Sequence, residues 1–279
     1  VEYLEWRRGR VREITRDGER RQFIVLEKTF GPLQLEDIAP EAIKDHLLAR
    51  GLKPNSLRLA IQALRNLYNY AIQEKYLVGD AGEPATNPMD RLPRPRIEKA
   101  VPKAIDLDTA KKIIQAMKGR RRLYFSLMVL TGMRPGEAAR LQVRHGLPDG
   151  ILLEATKNHS ERIQPWTPEI KKIWDELAAG KGPDDFLFPG RKGGHQLSFK
   201  KALKGAVERA GVYHVTPHRF RHTFASEVLR KTGNLRTVQV LLGHKNITTT
   251  EIYTRVLSED LERAMQVTFD GTKIFSVDE

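Results

Sequence analysis

In the stretch PNSLRLAIQALRNLYNYAIQEKYL, which begins at Pro54, the residues Leu57, Ile61, Leu64, Tyr68 and Ile72 recur every three or four positions. That period gives one apolar face to a long helix. QLEDIAPEAIKDHLLARG, just before it, offers another helix, ended by Gly51. Farther along, the same pattern predicts helices over 107–118 (stopped by Gly119), 121–131 and 135–142. The period then changes. GILLEAT and ERIQPW read as two short strands, joined by the turn KNHS. Helices return at 168–178 behind Thr167 and Pro168, at 199–210 behind Ser198, at 217–231, and at 235–242 before Gly243. TTTEIYTRVLSEDLERAM predicts a last long helix, with Thr248 and Glu251 at capping-box spacing. Between these regions RLPRPRIEKAVPK sets Pro93, Pro95 and Pro102 among basic residues and reads as an extended linker. The expected fold is mainly α with a small antiparallel β-sheet. It has a helical N-terminal domain at 1–92, a Pro-rich linker at 93–103 and a larger α+β domain at 104–279.

Composition narrows the class. Of 279 residues 40% are apolar and 30% charged, as in soluble globular proteins, and the length suits two domains. The opening VEYLEWRRGR has no apolar h-region, and the greasiest run, LYFSLMVL, is far too short to span a bilayer. With no cysteine there is neither a disulfide framework nor a thiolate metal site. A cytoplasmic location fits these features. The net charge of +13 is unevenly placed: residues 1–98 carry 17 Lys and Arg against 15 Asp and Glu, whereas 99–279 carry 31 against 20. Such a surplus, with a pI near 9.9, points to a polyanionic partner, nucleic acid before a membrane surface.

Candidate chemistry concentrates in TPHRFRHTFASEVLR. Thr216 suits an N-cap, Pro217 suits the first helical position, and Phe220, Phe224 and Val228 form the buried stripe. His218 and Arg221, three apart, share another face near the positive end of the helix dipole, a place suited to phosphate. His214, His218 and His222 are spaced four apart, but Thr216-Pro217 starts the helix after His214, so a metal site is not expected. In the helix after Pro54, Arg58, Gln62, Arg65 and Asn69 line a polar stripe. Either this is an ordinary solvated face, or these side chains make bidentate contacts to purine edges.

Four further residues in three stretches complete a pattern: TGMRPGEAARL with Arg134, EATKNHSERIQPW with Lys157, and LLGHKNITTTEIYTRV with both His244 and Tyr253. Together with HRFR they resemble the tyrosine recombinases, the phage-integrase family, most strongly from Thr131 to Val256. The resemblance implies a catalytic set of Arg134, Lys157, His218, Arg221, His244 and Tyr253. It also implies a helical core-DNA-binding domain, a catalytic domain, and four protomers that close around two double-stranded recombination sites and exchange strands through a Holliday junction. Accessory proteins are compatible with it. The chain begins at Val1, not methionine, and many members carry a small arm-binding domain in front. The apolar tail VTFDGTKIFSV is expected either to dock on a neighbouring protomer or to fold onto its own domain.

The residue types suit that chemistry. A phosphodiester attacked by a hydroxyl passes through a five-coordinate phosphorus with about two negative charges. Two arginines can grip its non-bridging oxygens, with His244 as a further donor. A phenol with a pKa of about 10 is ionised about one part in a thousand at pH 7, so Tyr253 needs a base, for which His218 is the candidate. Lys157 is the candidate acid for the leaving 5′-oxygen. No metal ion or ATP is then required, in keeping with the lack of a G-x-x-x-x-G-K-[ST] loop. Integration or excision of a mobile element is the expected role. Type IB topoisomerase-like relaxation and Xer-type dimer resolution are the alternatives.

Overall fold

The computed structural model describes residues 2–79, 83, 85–93, 95, 104–154, 160–191, 193–196 and 198–253. The chain divides into two compact units, Val1–Lys99 and Ala100–Glu279.

The first unit contains α1 (Glu2–Trp6), α2 (Glu13–Phe30), α3 (Pro40–Ala49) and α4 (Pro54–Gln73). The apolar face of α4 does what its spacing predicts. Ile61, Leu64 and Tyr68 are buried against Leu26 of α2, Ile43 and Leu47 of α3, and Met89 and Leu92 beyond α4. Pro40 sets the start of α3, leaving the preceding Leu35–Asp37 as a single 3₁₀ turn rather than helix. Sequence periodicity does not delimit α2, because its apolar residues crowd into its second half. A polar hub holds it instead. The buried Glu19 carboxylate accepts from both Arg7 Nη2 at 2.7 Å and Asn66 Nδ2 at 3.0 Å, joining α1 and α4 to α2.

The second unit comprises α5 (Leu107–Gln115), α6 (Arg120–Thr131), α7 (Pro135–Ala139), β1 (Gly146–Leu147), β2 (Gly150–Leu153), β3 (Arg162–Pro165), α8 (Pro168–Ala178), α9 (Lys200–Arg209), α10 (Pro217–Thr232) and α11 (Leu235–Leu242). The three strands form one antiparallel sheet in the order β1-β2-β3, with Ile151 opposite Gln164 and Leu153 opposite Arg162. Thr167 caps α8 as predicted, its hydroxyl accepting from Ile170 N. The 135–142 segment is shorter than predicted, closing after a five-residue helix.

The core of this unit is built around α6 and α10. Phe125 and Phe220, both fully buried, pack with their rings tilted by 43° and centroids 5.0 Å apart. Burying a side chain of that size contributes about 2–3 kcal/mol. At the end of α6, Gly132 adopts a left-handed φ of 64°, and a Cβ there would meet the Phe224 ring at 2.2 Å. Only glycine lets the chain turn so closely over α10. That turn delivers Arg134 to the start of α7.

The predicted long helix from Thr248 does not begin as drawn. Asn246 is the capping residue, accepting from Thr248 N at 3.0 Å, and the chain runs through 3₁₀ turns at Ile247–Thr249 and Glu251–Tyr253. Residues beyond Tyr253, including the apolar tail, lie outside the described residues, as does most of the predicted linker.

Candidate active site

Helix α10 starts where the sequence places it. Thr216 has the extended backbone of an N-cap, but its side chain makes no capping bond; its carbonyl receives Arg219 N at 3.0 Å. His214 lies before the helix with a φ of 56°, so it does not share a stripe with His218 and His222. Among the described residues no group of three potential metal ligands occurs.

Arg221 is 4% exposed although always charged. Its Nη1 donates to Gly132 O, and its Nη2 donates to Leu242 O at 2.8 Å and to His244 Nε2 at 3.0 Å. These partners are neutral. Burial, followed by the repulsion of Arg134, pushes the guanidinium down to about 9. A cation held in place yet disfavoured in this way gains most when an anion enters.

The imidazole of His244 is oriented by both of its nitrogens. Guanidinium only donates, so Nε2 accepts from Arg221, and Nδ1 then carries the hydrogen and donates to Thr250 Oγ1 at 2.9 Å. Gln239 Nε2 donates to the His244 carbonyl at 3.0 Å. In this state the Nε2 of His244 is engaged by Arg221, which it helps to orient.

Arg134 sits just before α7. Its backbone N–H and its Nη1 both donate to the Glu137 carboxylate, at 2.8 and 2.9 Å. On its other side Glu137 receives Arg162 Nη2 at 2.8 Å. Burial pushes the Glu137 carboxyl up, but the Arg162 bond and charge outweigh it, with help from Arg134, and hold it at about 2. Arg162 in turn donates through Nε to Leu241 O at 2.9 Å, two residues before Gly243. Sequence reasoning assigns Arg162 no part in the site. Its position in a strand of otherwise ordinary composition gives no signal.

Two predictions arise from this ion network. The carboxyl of Glu137 is lower in the folded chain than its usual 4.5, so its contribution is complete above pH 4.5 and is lost as pH falls toward 2. The difference corresponds to about 3 kcal/mol. Glu137→Gln is therefore expected to lower the urea midpoint strongly at pH 6, and the gap from wild type is expected to shrink progressively between pH 4.5 and 2.5. A gap independent of pH would refute the charge pairing. Gly243 has a φ of 65°, and a Cβ there would lie 2.7 Å from Arg162 Nη1. Since Arg162 is tied down on both sides, Gly243→Ala is expected to cost about 1–3 kcal/mol, read as a lower melting temperature.

Tyr253 is 2% exposed, packed with Phe224, Ala225 and Leu229 of α10. Its hydroxyl lies 2.7 Å from His222 Nδ1. Burial raises the phenol to about 12, while the charges of Arg221 and Arg134 pull against that rise. His218, the base expected from sequence, stands more exposed on the first turn of α10; burial at its base and the charges of Arg221, Arg134 and Lys200 push its imidazolium down. The phenol's described partner is thus His222. Lys157 and its hairpin turn lie outside the described residues. In the first unit Arg58, Gln62 and Asn69 are exposed on α4, but Arg65 is buried, with Nε on Asp90 at 2.8 Å and Nη2 on Met89 O at 2.8 Å. The stripe therefore loses one member to internal structure.

The phage integrase family model matches residues 103–260, more than half of the chain. Among curated relatives, the tyrosine recombinase XerC of Xanthomonas campestris is 32% identical over 219 residues, covering 74% of this chain and 66% of that protein. XerD of Pseudomonas putida is 29% identical over 253 residues, covering 83% and 82%. The chain thus spans just under two thirds of the first relative's length and more of the second's. In fold, it is similar to a lambda integrase dimer bound to a COC′ core site, with a TM-score of 0.72 at 19% identity over 90% of this chain and 75% of that one. It is also similar to the XerH site-specific recombinase bound to palindromic difH substrate, with a TM-score of 0.70 at 21% identity over 91% and 80%. The chain belongs to the phage integrase family, the tyrosine recombinases.

Proposed function

We propose that this chain is a site-specific DNA recombinase that cuts and rejoins duplex DNA through a 3′-phosphotyrosyl intermediate. The observation that carries this reading is the buried Tyr253 phenol in the field of Arg221 and Arg134. The scissile phosphate binds those two guanidiniums, which stabilise the charge that develops on its non-bridging oxygens. The Tyr253 oxygen forms a bond to phosphorus as the phosphorus–O5′ bond breaks. The phenolic proton passes to a base, with His218 the candidate, and O5′ receives one from Lys157. The phosphotyrosyl bond conserves the energy of the broken linkage, so a second 5′-hydroxyl reverses the step and is joined. Neither a metal ion nor ATP takes part.

Strand exchange between two sites calls for a tetramer that proceeds through a Holliday junction, and Arg58, Gln62 and Asn69 of α4 are the exposed candidates for reading bases. The role is integration or excision of a mobile element. Resolution of dimers is the second reading, favoured by the XerC and XerD names of the curated relatives. The test is incubation with nicked suicide substrates carrying candidate sites, followed by denaturing electrophoresis. A slower-migrating protein–DNA band supports the reading. Its absence on every site, or relaxation of plasmids without paired sites, argues against it.

A further inference from the structure

We propose that His222 is a positioning residue for the nucleophile: its Nδ1 accepts the hydrogen of the Tyr253 hydroxyl and fixes the direction in which that oxygen points. This rests on Tyr253 being the nucleophile. The contact is 2.7 Å, between rings 5.7 Å apart and inclined at 52°, so the phenol meets the imidazole at its edge, where the nitrogen lone pair lies.

The rest of the phenol's surroundings make that bond decisive. The ring lies in an apolar cluster with Phe224, Ala225 and Leu229, whose packing has no direction. The backbone that delivers it is a pair of 3₁₀ turns, held by Thr250 N on Ile247 O and Tyr253 N on Thr250 O. Neither the packing nor the turns specify where the hydroxyl hydrogen goes. A hydrogen bond does, and His222 provides it from α10, the element that also carries Arg221. Because His222 directly follows Arg221 in the chain, the acceptor for the nucleophile and a guanidinium for the phosphate are held one residue apart on a rigid helix.

The proton stays on the phenol in this state. Burial holds the imidazole at about 4, aided by His218, Arg221 and Arg219, and holds the phenol at about 12. At neutral pH both groups are neutral. His222 therefore acts as an acceptor, in the tautomer with its hydrogen on Nε2, and does not act as the base. It seats a protonated nucleophile, and ionisation waits for the charge redistribution that substrate brings.

The test has two arms. In single-turnover reactions on a nicked substrate, His222→Ala is expected to slow adduct formation about ten- to a hundredfold, the value of one oriented bond to a buried group. Non-covalent affinity for the same DNA stays unchanged. His222→Asn, whose side-chain oxygen can stand in for Nδ1, is expected to recover most of the rate, which a loss of packing alone would not allow. Equal rates in all three proteins, or equal impairment of the Ala and Asn variants, would overturn the proposal. The second arm needs neither DNA nor turnover. Nitrogen NMR of the His222 ring in the free protein is expected to show unprotonated, hydrogen-bonded Nδ1, whose resonance moves in Tyr253→Phe. A protonated Nδ1, or no response to Tyr253→Phe, would refute the proposal even in an active enzyme. If the wild type forms no adduct while the NMR result holds, recombination fails and the seating bond stands.

Discussion

A Tyr253→Phe protein is expected to bind DNA as wild type does and to form no covalent adduct with it. The substitution removes one oxygen and keeps the ring that packs against Phe224, Ala225 and Leu229. Its stability cost is therefore that of one hydrogen bond to His222, about 1 kcal/mol. On the proposed mechanism the chemical cost is total, because the substitution removes the atom that attacks phosphorus. The need for assistance is large even in wild type. At about 12, ionising the phenol at pH 7 before attack would cost about 7 kcal/mol. On the proposed mechanism the proton therefore leaves as the phosphorus bond forms, while Arg221 and Arg134 offset the new charge. Adduct detected with the Phe protein on a nicked substrate would remove Tyr253 from its assigned role.

Arg221→Lys is expected to be nearly as damaging, for reasons divided between chemistry and folding. Lysine preserves the charge but not the fork that reaches Gly132 O, Leu242 O and His244 Nε2 together. Each buried carbonyl left without its donor costs about 1–3 kcal/mol. The loss of one aimed donor at the developing oxyanion slows the reaction about a hundred- to a thousandfold. The variant is thus expected to melt several degrees lower and, under conditions where it remains folded, to cleave at least a hundredfold more slowly. A protein with reduced melting temperature but wild-type cleavage would show that Arg221 serves only the core.

The sequence reveals those features whose cause is local. Helix α10 begins at Pro217 because the Thr216-Pro217 pair can only start a helix, and α4 buries the face its periodicity marks. Arg134, Arg221, His244 and Tyr253 can be picked out because each stands in a distinctive short motif. What the sequence hides depends on contacts between distant segments. Arg65 looks like one more polar residue of the α4 stripe until Asp90 and the Met89 carbonyl engage it from 25 and 24 residues away. His222 cannot be separated from His218 by spacing, since only the path of the chain into Tyr253 decides which of them meets the phenol. The side chain of Asn246 caps Thr248 N, so up to Tyr253 the chain runs through 3₁₀ turns where the sequence predicts the start of a long helix.

Strand β3 alternates with the usual polarity reversed. Arg162 and Gln164 face inward, 8% and 4% exposed, whereas Ile163 between them is 44% exposed. Sliding the strand by one residue would bury the isoleucine and free the arginine, an exchange that oil-and-water preference alone would favour. What opposes the slip is the grip of Glu137 and the Leu241 carbonyl on Arg162. The register of β3 against β2 is therefore held in part by a side-chain anchor in the neighbouring ion network, and not by apolar burial alone.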